Sequence, residues 1–498
     1  MSNTSRILAA CTAVLSFSIS AQTGGILRFV EQWSVRTGWA MSADDSYLGS
    51  RAGCYESLTK VDFDGQLKPS LATSWAQTAP TTWEFKIREG VKFHDGTALS
   101  AESAANALNQ LLKAAVPARA FSSKFVKAVE ATDSKTVKIT LAEPSVLLPG
   151  QLASPATAIL APSAYKDGKV NPINACTGPF VITRVDPTQG MTVKRNDAYW
   201  GEKPVLAGAE IKFILDANGR ATQMRTGEAD VSRVLPTVAL AQVKSSPGLQ
   251  VSQVPAPRTL MMLLNNKKAP LNDIRVRQAI QAAIDNSAIA GSVFEGLVTG
   301  AMGPFRPSDP WAPKDQKPAY NLDKAKKLLA DAGIRPGTLK LSLWGYTARS
   351  EMKDVAAVIQ EMLGKVGIGV EIRIAEYNAI EPDMLAGKFD MALMSRGYLT
   401  DVPEPIGFLN ADYTCGGSYN MSQYCSPEVD AEIKSIFATV DQAQRFDGYR
   451  KIAARMQAEA TTVYLIHETA YDAYTSKVKN YKPHPMNYLS LTPSLGLN

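Results

Sequence analysis

Apolar and polar residues alternate in short segments through the first half of the chain, a period of two that predicts strands with one buried side. Turn sequences such as Asp64-Gly65 separate these segments. Residues 100–112 differ, because they are rich in alanine and leucine and predict a helix that Ser100 caps, with Ser103 as an alternative start. The predicted strands are residues 25–30, 60–63, 82–87, 135–141, 178–182 and 191–194.

Apolar residues recur every three to four positions in parts of the second half, a spacing that predicts helices. Asn321 and Gly333 mark the start and the end of one of these helices. The predicted helices are residues 275–289, 321–332 and 351–363, and the predicted strands are residues 339–343, 370–374 and 389–394. Strands that alternate with helices over short connections indicate an α/β architecture.

A secretory signal peptide is predicted over residues 1–21. Arg6 precedes an apolar stretch, residues 7–19, and small residues follow it as at a cleavage site. The stretch is shorter than the about 20 apolar residues that a membrane span needs, so we expect an exported, periplasmic protein. A lipoprotein cleavage site before Cys11 is the alternative, although only four apolar residues precede that cysteine.

The amino-acid composition excludes two classes of protein. The chain has 498 residues, of which 45% are hydrophobic, and carries 53 Lys+Arg against 47 Asp+Glu. Such a chain has enough apolar material for two or three folded units, which excludes a disordered protein. Acidic residues are interleaved with the basic ones, so we expect no nucleic-acid partner.

Cysteine usage agrees with export. Four cysteines follow the signal peptide, and an even number in an oxidising compartment suggests disulfides. Cys415 and Cys425 lie ten residues apart in a loop-rich segment, which predicts a local bridge. A bridge between Cys54 and Cys176 follows by elimination only, and two buried free thiols remain the alternative.

Motifs for catalysis, metals and nucleotides are missing from the sequence. Its three histidines, His94, His467 and His484, lack the spacing of a metal site, and no nucleophile elbow or phosphate-binding loop occurs. The glycine-rich residues 364–369 join a predicted helix to a strand, the reverse of the order in a dinucleotide site. We therefore expect no metal and no cofactor, although an enzyme with paired carboxylates stays open.

Seven segments, in this order, resemble the family 5 extracellular solute-binding proteins, which include the oligopeptide-, dipeptide- and nickel-binding proteins of ABC importers. Together they extend over most of the chain that follows the signal peptide. The segments are Tyr55-Glu56-Ser57-Leu58, residues 67–75, residues 83–96, Thr177-Gly178-Pro179-Phe180, residues 195–200, residues 276–280 and Asp401-Val402-Pro403-Glu404-Pro405.

This resemblance implies a fold and a division of the chain. The expected fold is α/β and two-lobed, a type II periplasmic-binding-protein-like fold with an extra N-terminal subdomain inserted in lobe I. Strands near residues 259–264 would cross between the lobes as a hinge. The implied boundaries are 22–52, 172–257 and 477–498 for lobe I, 53–171 for the inserted subdomain, and 258–476 for lobe II.

The ligand-binding prediction centres on the segment that contains Tyr398, Leu399 and Asp401. In peptide-binding members of the family, an aspartate at the Asp401 position takes the ligand's α-ammonium group, and an aromatic residue occupies the Tyr398 position. An enclosed carboxylate suits this role, because a ligand without a cation would leave a buried charge unpaired. The alternatives are that Asp401 caps a turn and that Tyr398 packs in the core.

Further residues are weaker candidates for the same site. Trp344 and Tyr346, placed just after a predicted strand, could form an aromatic wall. Arg119 from the inserted subdomain, or Arg396 from lobe II, could meet a ligand carboxylate. Two residues between the cysteines of the predicted local bridge could line the rim of the site: Tyr419 and Asn420.

The ligand class and the partners follow from the same resemblance. Nickel-chelate binders have an arginine in the stretch that matches residues 154–159 and tend to use a histidine near residues 413–420, and this sequence has neither. A short peptide or similar amine-bearing solute is therefore preferred to a metal chelate. We expect a monomer that delivers its solute to an ABC permease in the inner membrane, with an exported hydrolase or a chaperone as alternatives.

Overall fold

The computed structural model describes residues 24–118, 121–347, 349, 351–399 and 402–498. The predicted signal peptide lies outside these residues. Within them, no helix combines the length and the apolar character that a membrane crossing requires.

Strands and helices alternate along the described chain. The strands are β1 (Ile26–Glu31), β2 (Thr59–Val61), β3 (Leu67–Pro69), β4 (Ala72–Ala79), β5 (Thr82–Ile87), β6 (Val126–Asp133), β7 (Thr136–Leu141), β8 (Tyr165–Lys166), β9 (Lys169–Val170), β10 (Phe180–Asp186), β11 (Gly190–Arg195), β12 (Gly208–Phe213), β13 (Val231–Ser232), β14 (Leu249–Leu264), β15 (Thr299–Gly300), β16 (Leu339–Tyr346), β17 (Ile368–Ala375), β18 (Met391–Gly397), β19 (Thr462–Thr475), β20 (Val478–Lys479) and β21 (Gly496–Leu497).

The helices of the described chain range from one turn to almost five turns. They are α1 (Asp45–Arg51), α2 (Ala101–Leu112), α3 (Leu148–Gln151), α4 (Ala217–Arg225), α5 (Leu240–Ser245), α6 (Ile274–Ala283), α7 (Asn286–Phe294), α8 (Leu322–Asp331), α9 (Met352–Gly364), α10 (Tyr377–Leu385), α11 (Ile406–Tyr413), α12 (Pro427–Ala438) and α13 (Gln442–Ala458).

One large sheet runs through the molecule in the order β10-β11-β12-β1-β13-β19-β14-β18-β16-β17. The two longest strands, β14 and β19, pair antiparallel in its middle. On one side β19 pairs with β13, and on the other side β14 pairs with β18. The two halves of the sheet are therefore connected through a pair of crossing strands.

Each half of the sheet has its own hydrophobic core. The first core contains buried residues between Leu27 and Val231 together with Val478, Leu491 and Leu495. The second core contains buried residues between Leu260 and Ile466, together with Leu147. Two cores joined by crossing strands form a two-lobed α/β molecule, as the family resemblance implies. The residue boundaries of the lobes and of the inserted subdomain stay predictions.

A separate four-stranded antiparallel sheet, in the order β4-β5-β7-β6, packs with α2 inside the segment predicted as the inserted subdomain. The N-terminus of α2 follows the sequence prediction. The Ser100 hydroxyl accepts a hydrogen bond from the Ser103 backbone N–H, and the Ser103 hydroxyl accepts one from Ser100 N–H. This capping box satisfies two N–H groups that the first helical turn leaves unpaired.

Two sequence predictions need correction. Residues 275–289 form two helices rather than one, because the Asp285 side chain accepts hydrogen bonds from the N–H groups of Ser287 and Ala288 and starts α7. Strand β16 continues to Tyr346, so Trp344 and Tyr346 lie within it rather than after it. The extension is held by β17, which pairs with β16 along its whole length.

Both predicted cysteine pairings are present. Cys415 and Cys425 close a ten-residue loop, and Cys54 and Cys176 link segments that are 122 residues apart. The second pair lies wholly in the first core, where each cysteine is 0% exposed. The alternative of two buried free thiols is therefore wrong.

Candidate functional site

The carboxyl ends of three strands meet beside the crossing strands. β16 pairs parallel with β17 and with β18, so the strands end at the same edge of the sheet. Tyr346 ends β16, Tyr377 follows β17 after one residue, and Arg396 lies at the end of β18. Ligands of open α/β sheets bind at such edges, because the loops there present polar groups. This edge is the candidate site.

A group of charged side chains occupies the point where the edge meets β14 and β19. The Arg349 guanidinium donates to Glu468 Oε2 at 2.9 Å, to Glu351 Oε1 at 2.7 Å and to Ser395 Oγ at 2.5 Å. Arg258 donates through Nη1 to the Ser395 carbonyl oxygen at 2.9 Å and to its Oγ at 3.1 Å. We call Arg258, Arg349, Glu351, Ser395 and Glu468 the cleft cluster.

An irregularity in the crossing strands assembles the cleft cluster. Pro255 pairs with Thr469 and Thr259 with His467, so three residues of β14 lie opposite Glu468 alone. Such a bulge bends a strand and redirects its side chains. Arg258, one of the three residues in this bulge, thereby meets Ser395 of the neighbouring strand.

The electrostatics of the cluster are those of charges in a poorly solvated site. Burial works to raise the pKa of Glu468, but the Arg349 and Arg258 guanidiniums outweigh it and hold that pKa below its ordinary value. Burial lowers the pKa of Arg258, and the Glu468 carboxylate only partly offsets it. The cluster therefore keeps Glu468 ionised, and the charges of the cluster are poorly screened.

Tyrosines extend the site along the edge. The Tyr346 and Tyr377 rings meet edge to face at 5.2 Å, and the hydroxyls of Tyr377 and Tyr419 both donate to Glu381 Oε1 at 2.8 Å. Burial raises the pKa of Tyr419 to about 12, which keeps its hydroxyl protonated and able to donate. We call Tyr346, Tyr377 and Tyr419 the tyrosine band.

Arg396 lies over the tyrosine band rather than free in the cleft. Its guanidinium stands 4.2 Å from the Tyr419 ring centroid and forms two hydrogen bonds with Asp412, at 2.7 and 2.6 Å. Burial raises the pKa of Asp412, although Arg396 opposes it. The predicted role of Arg396 in meeting a carboxylate would thus compete with an internal ion pair.

Three predicted aromatic contacts are buried: Tyr346 of the tyrosine band, which is 7% exposed, Tyr398 and Trp344. Tyr398 is 1% exposed, and its hydroxyl donates to Asp309 Oδ2 at 2.6 Å. Trp344 is 6% exposed and packs between Phe389 and the Arg373 guanidinium. The Tyr398 and Trp344 side chains act as packing groups in this structure, in agreement with the packing alternative for Tyr398.

The loop that follows β18 touches the other lobe. Leu399 packs against a small cluster of side chains from the first half and the C-terminal tail, and Val402 and Pro403 lie beside Gly150. Asp401 and Arg119, two predicted ligand contacts, lie outside the described residues. The members of the small cluster are Val61, Ala153, Met486 and Tyr488.

The disulfide loop holds the remaining two predicted residues. The Asn420 amide donates to the carbonyl oxygens of Thr414 at 2.9 Å and Tyr424 at 2.5 Å, and its Oδ1 accepts from Tyr424 N–H. Asn420 therefore fixes the loop that Cys415 and Cys425 close. Tyr419, half-buried on the same loop, faces the tyrosine band.

Sequence patterns missed six members of the site: Arg258, Arg349, Glu351, Tyr377, Ser395 and Glu468. A weak signal existed for Arg258, because it is the one charged residue in the 16-residue strand β14. The other five are two charges between a strand and a helix, a tyrosine at a helix start, and a serine and a glutamate within strands. None of these patterns is specific.

Metal ligands do not gather at this site in the described part of the chain. One grouping elsewhere brings ligand atoms of Cys54, His94 and Cys176 within 4.8 Å of one another. The two sulfurs are bonded to each other, so neither is a thiolate that could bind a metal.

Comparison with known proteins places the chain in a family. A model of bacterial extracellular solute-binding proteins, family 5 Middle, matches residues 66–420. The nickel-binding periplasmic protein of Escherichia coli (strain K12) is 31% identical over 441 residues, which cover 82% of each chain. The dipeptide-binding protein of the same strain is 25% identical over 480 residues, or 89% of this chain and 88% of that protein.

Solved structures agree on the fold. The ABC transporter-associated periplasmic binding protein DppA from Helicobacter pylori, in complex with the peptide STSA, matches with a TM-score of 0.80 at 23% identity, over 96% of this chain and 99% of that one. This confirms the two-lobed type II fold predicted from the resemblance. Because the family model matches well over half of the sequence, the chain belongs to the bacterial extracellular solute-binding proteins of family 5.

Proposed function

We propose that this protein is the periplasmic binding component of an ABC importer and captures short peptides or similar amine-bearing solutes by closing its two lobes. The observation that carries the proposal is the site itself: the cleft cluster and the tyrosine band lie together at the strand ends, beside the crossing strands. A few fixed polar groups among aromatic side chains are typical of sites that enclose a small polar molecule.

Lobe closure has structural support in the contacts made by the loop after β18. Leu399 packs against the small cluster from the first half and the C-terminal tail, and Val146 N–H donates to the Phe437 carbonyl oxygen at 2.9 Å. Asp401 follows Leu399 by two residues in the sequence. In this proposal its carboxylate binds the solute's ammonium group, as the family resemblance implies.

A peptide is favoured over a metal chelate by the composition of the site. Residues 154–159 are all buried and contain no arginine, and residues 413–420 contain no histidine. The relatives that match this chain include proteins named for dipeptides and for nickel, so the name of a relative does not choose between these solutes. The proposal also assigns export through a cleaved signal peptide, a monomeric state, delivery to a membrane permease and no enzymatic activity.

The test is calorimetric titration of protein that has been unfolded and refolded to remove co-purified solute. A panel of tripeptides with free amino groups is compared with the same peptides N-acetylated, and with nickel plus L-histidine. We expect micromolar or tighter binding of some free peptides, about −8 kcal/mol, and none for the nickel mixture. Binding that requires the metal, or conversion of a peptide to products, contradicts the proposal.

Asp401→Ala should weaken binding of free-amine peptides about 10- to 100-fold, because it removes a charge-assisted hydrogen bond, and should spare the N-acetylated ones. Asp315→Ala, at an exposed aspartate, is the matched control and should change neither. Equal loss for both peptide forms would refute the role of Asp401. Uptake of a labelled peptide by cells with and without this protein tests delivery to a permease.

A further inference from the structure

The bulge of β14 has a sequence that limits what the sheet can do to hold it. The sequence is Pro255-Ala256-Pro257-Arg258, and proline has no backbone N–H to donate. Within the described chain, the pairing of β14 with β19 passes from Pro255 directly to Thr259. Groups outside this ladder must therefore fix the conformation that brings Arg258 to Ser395.

Two carbonyl oxygens of the bulge accept hydrogen bonds from neighbouring loops. Arg306, in the loop after β15, donates through Nη1 to the Pro255 carbonyl oxygen. Tyr398, directly after β18, donates from its backbone N–H to the Pro257 carbonyl oxygen at 3.0 Å. The bulge is thus held at both of its prolines by residues far from it in sequence.

The side chains of these two residues are joined to each other through Asp309. Arg306 Nη2 donates to Asp309 Oδ1 at 2.9 Å, and the Tyr398 hydroxyl donates to Asp309 Oδ2 at 2.6 Å. Arg306 Nε donates to the Tyr398 hydroxyl oxygen at 3.0 Å. The Arg306 and Asp309 side chains are only 18% and 6% exposed. We call Arg306, Asp309 and Tyr398 the bulge anchor.

The loop that carries Arg306 is itself fixed in the second core. Phe305 is 0% exposed, and its ring meets the Tyr398 ring edge to face at 5.3 Å. The Thr259 hydroxyl donates to the Pro304 carbonyl oxygen at 2.8 Å. This loop therefore contacts β14 on both sides of the bulge, at Pro255 and at Thr259, and can fix the segment between them.

Resting on the proposed function, we propose that Arg306 is a positioning residue of the solute site, which with Asp309 and Tyr398 holds the β14 bulge in the conformation that the cleft cluster requires. Each of the three side-chain nitrogens of Arg306 already donates to a protein group. Arg306 therefore acts through the bulge, and its contribution to affinity is preorganisation of the site.

Loss of the anchor should reduce affinity for a physical reason that does not depend on contact with the solute. Without Arg306, the Pro255 carbonyl oxygen loses its donor, and the unpaired segment can adopt conformations in which Arg258 does not reach Ser395. The free energy of binding then includes the cost of ordering that segment, so every solute of the cleft binds more weakly.

The experiment compares Arg306→Gln, Arg306→Lys and the control Arg335→Gln, which changes an exposed arginine. Tripeptides with free amino and carboxyl groups, and separately nickel with L-histidine, are titrated calorimetrically into refolded protein. Deuterium uptake, measured by mass spectrometry, is followed in peptides that cover the β14 bulge and in peptides from β12 of the first lobe. Urea unfolding of every variant checks that it is folded.

We expect Arg306→Gln to weaken tripeptide binding about 10-fold and to raise deuterium uptake at the bulge but not in β12. Arg306→Lys keeps a charged donor for the Pro255 carbonyl oxygen and should recover part of both effects, and Arg335→Gln should show neither. If Arg306→Gln does not fold, Tyr398→Phe takes its place with an expected loss of about threefold, because it removes the hydroxyl and keeps the N–H donor to Pro257.

Two results would overturn the proposal. Affinity of Arg306→Gln within about twofold of wild type would mean that the anchor does not position the site. A rise in deuterium uptake in β12 as large as that at the bulge would mean that Arg306 supports the whole fold and not the bulge in particular.

The probes also separate this proposal from the one on which it rests. If only the nickel–histidine mixture binds wild type, and Arg306→Gln weakens it, the peptide proposal fails while the positioning role of Arg306 stands. If tripeptides bind wild type and Arg306→Gln equally well, the peptide proposal stands and the Arg306 proposal fails. If no probe binds wild type, both fail.

Discussion

Two clusters of arginines and carboxylates, one in the first lobe and one at the crossing strands, differ in access to solvent. In the first lobe, Glu31 Oε2 accepts from Arg51 at 2.9 Å and from Arg233 at 2.8 Å, and the three side chains are 2%, 7% and 3% exposed. In the cleft cluster, Arg349 is 30% exposed and Arg258 lacks an ion pair among the described residues.

Solvent access and complete pairing thus distinguish a structural ion pair from a charged group that binds a solute. Charges enclosed on all sides have exhausted their partners within the protein, and their removal costs stability. Charges that are half-buried and incompletely paired at a strand edge leave donors for a molecule that arrives from solution. Mutations in the first-lobe cluster should therefore mainly lower stability, and mutations in the cleft cluster should mainly change affinity for the solute.

The largest expected effect is on stability in the first lobe. Glu31→Gln removes the carboxylate that Arg51 and Arg233 share and leaves two buried guanidiniums together. We expect the free energy of unfolding in urea to fall by about 3 to 5 kcal/mol. A loss below about 1 kcal/mol would show that this cluster is less enclosed than the structure indicates.

The stability that the Glu31 cluster contributes should depend on pH. Burial raises the pKa of Glu31, but Arg51 and Arg233 overcome it and hold that pKa below its ordinary value of 4.5. A carboxyl whose pKa is lowered by folding stabilises the protein above about pH 4.5, and this contribution is lost as pH falls below that value. Urea unfolding from pH 6 to pH 3 should show the loss in wild type and a shallower one in Glu31→Gln.

The cleft cluster should respond less in stability and more in binding. Glu468→Gln leaves Arg349 with Glu351 and with water, so we expect a loss of about 1 to 2 kcal/mol in unfolding free energy. Removing this negative charge beside Arg258 should also tighten binding of free-acid tripeptides by about three- to tenfold in calorimetry. Weaker binding would indicate that Glu468 itself contacts the solute.

The smallest effect is expected at the exposed pair between Lys434 and Glu143, which joins lobe II to the segment predicted as the inserted subdomain. Its nitrogen and oxygen lie 3.1 Å apart, and the side chains are 73% and 63% exposed. Exposed pairs contribute about 0.2 to 1 kcal/mol, so Lys434→Ala should change peptide affinity less than about fivefold. A larger change in affinity would indicate that this ion pair contributes to lobe closure.

Much of the fold was predictable because its local signals are strong. Ser100 and Asn321 cap the helices predicted from them, and the strand predicted at residues 82–87 has the observed bounds. The prediction over residues 275–289 was wrong in one respect, since the apolar spacing continues through Ile284 while Asp285 starts a new helix.

The site was less predictable because it is built by contacts distant in sequence. Arg258 meets Ser395 across 137 residues, and Arg349 meets Glu468 across 119. No local pattern encodes a bulge that turns Arg258 toward the cleft. Family resemblance supplied Asp401 and Tyr398, but whether a ring such as Tyr398 packs or faces a solute depends on side chains from several elements, such as Asp309 and Phe305.

The most direct test of the difference between the two clusters is a crystal structure of the protein with its co-purified solute. We expect polar atoms of the solute within about 3 Å of the cleft cluster or the tyrosine band, with Glu31, Arg51 and Arg233 still paired only with one another and with protein groups. A solute that contacts the Glu31 cluster, or one that binds away from both the cleft cluster and the tyrosine band, would contradict this expectation.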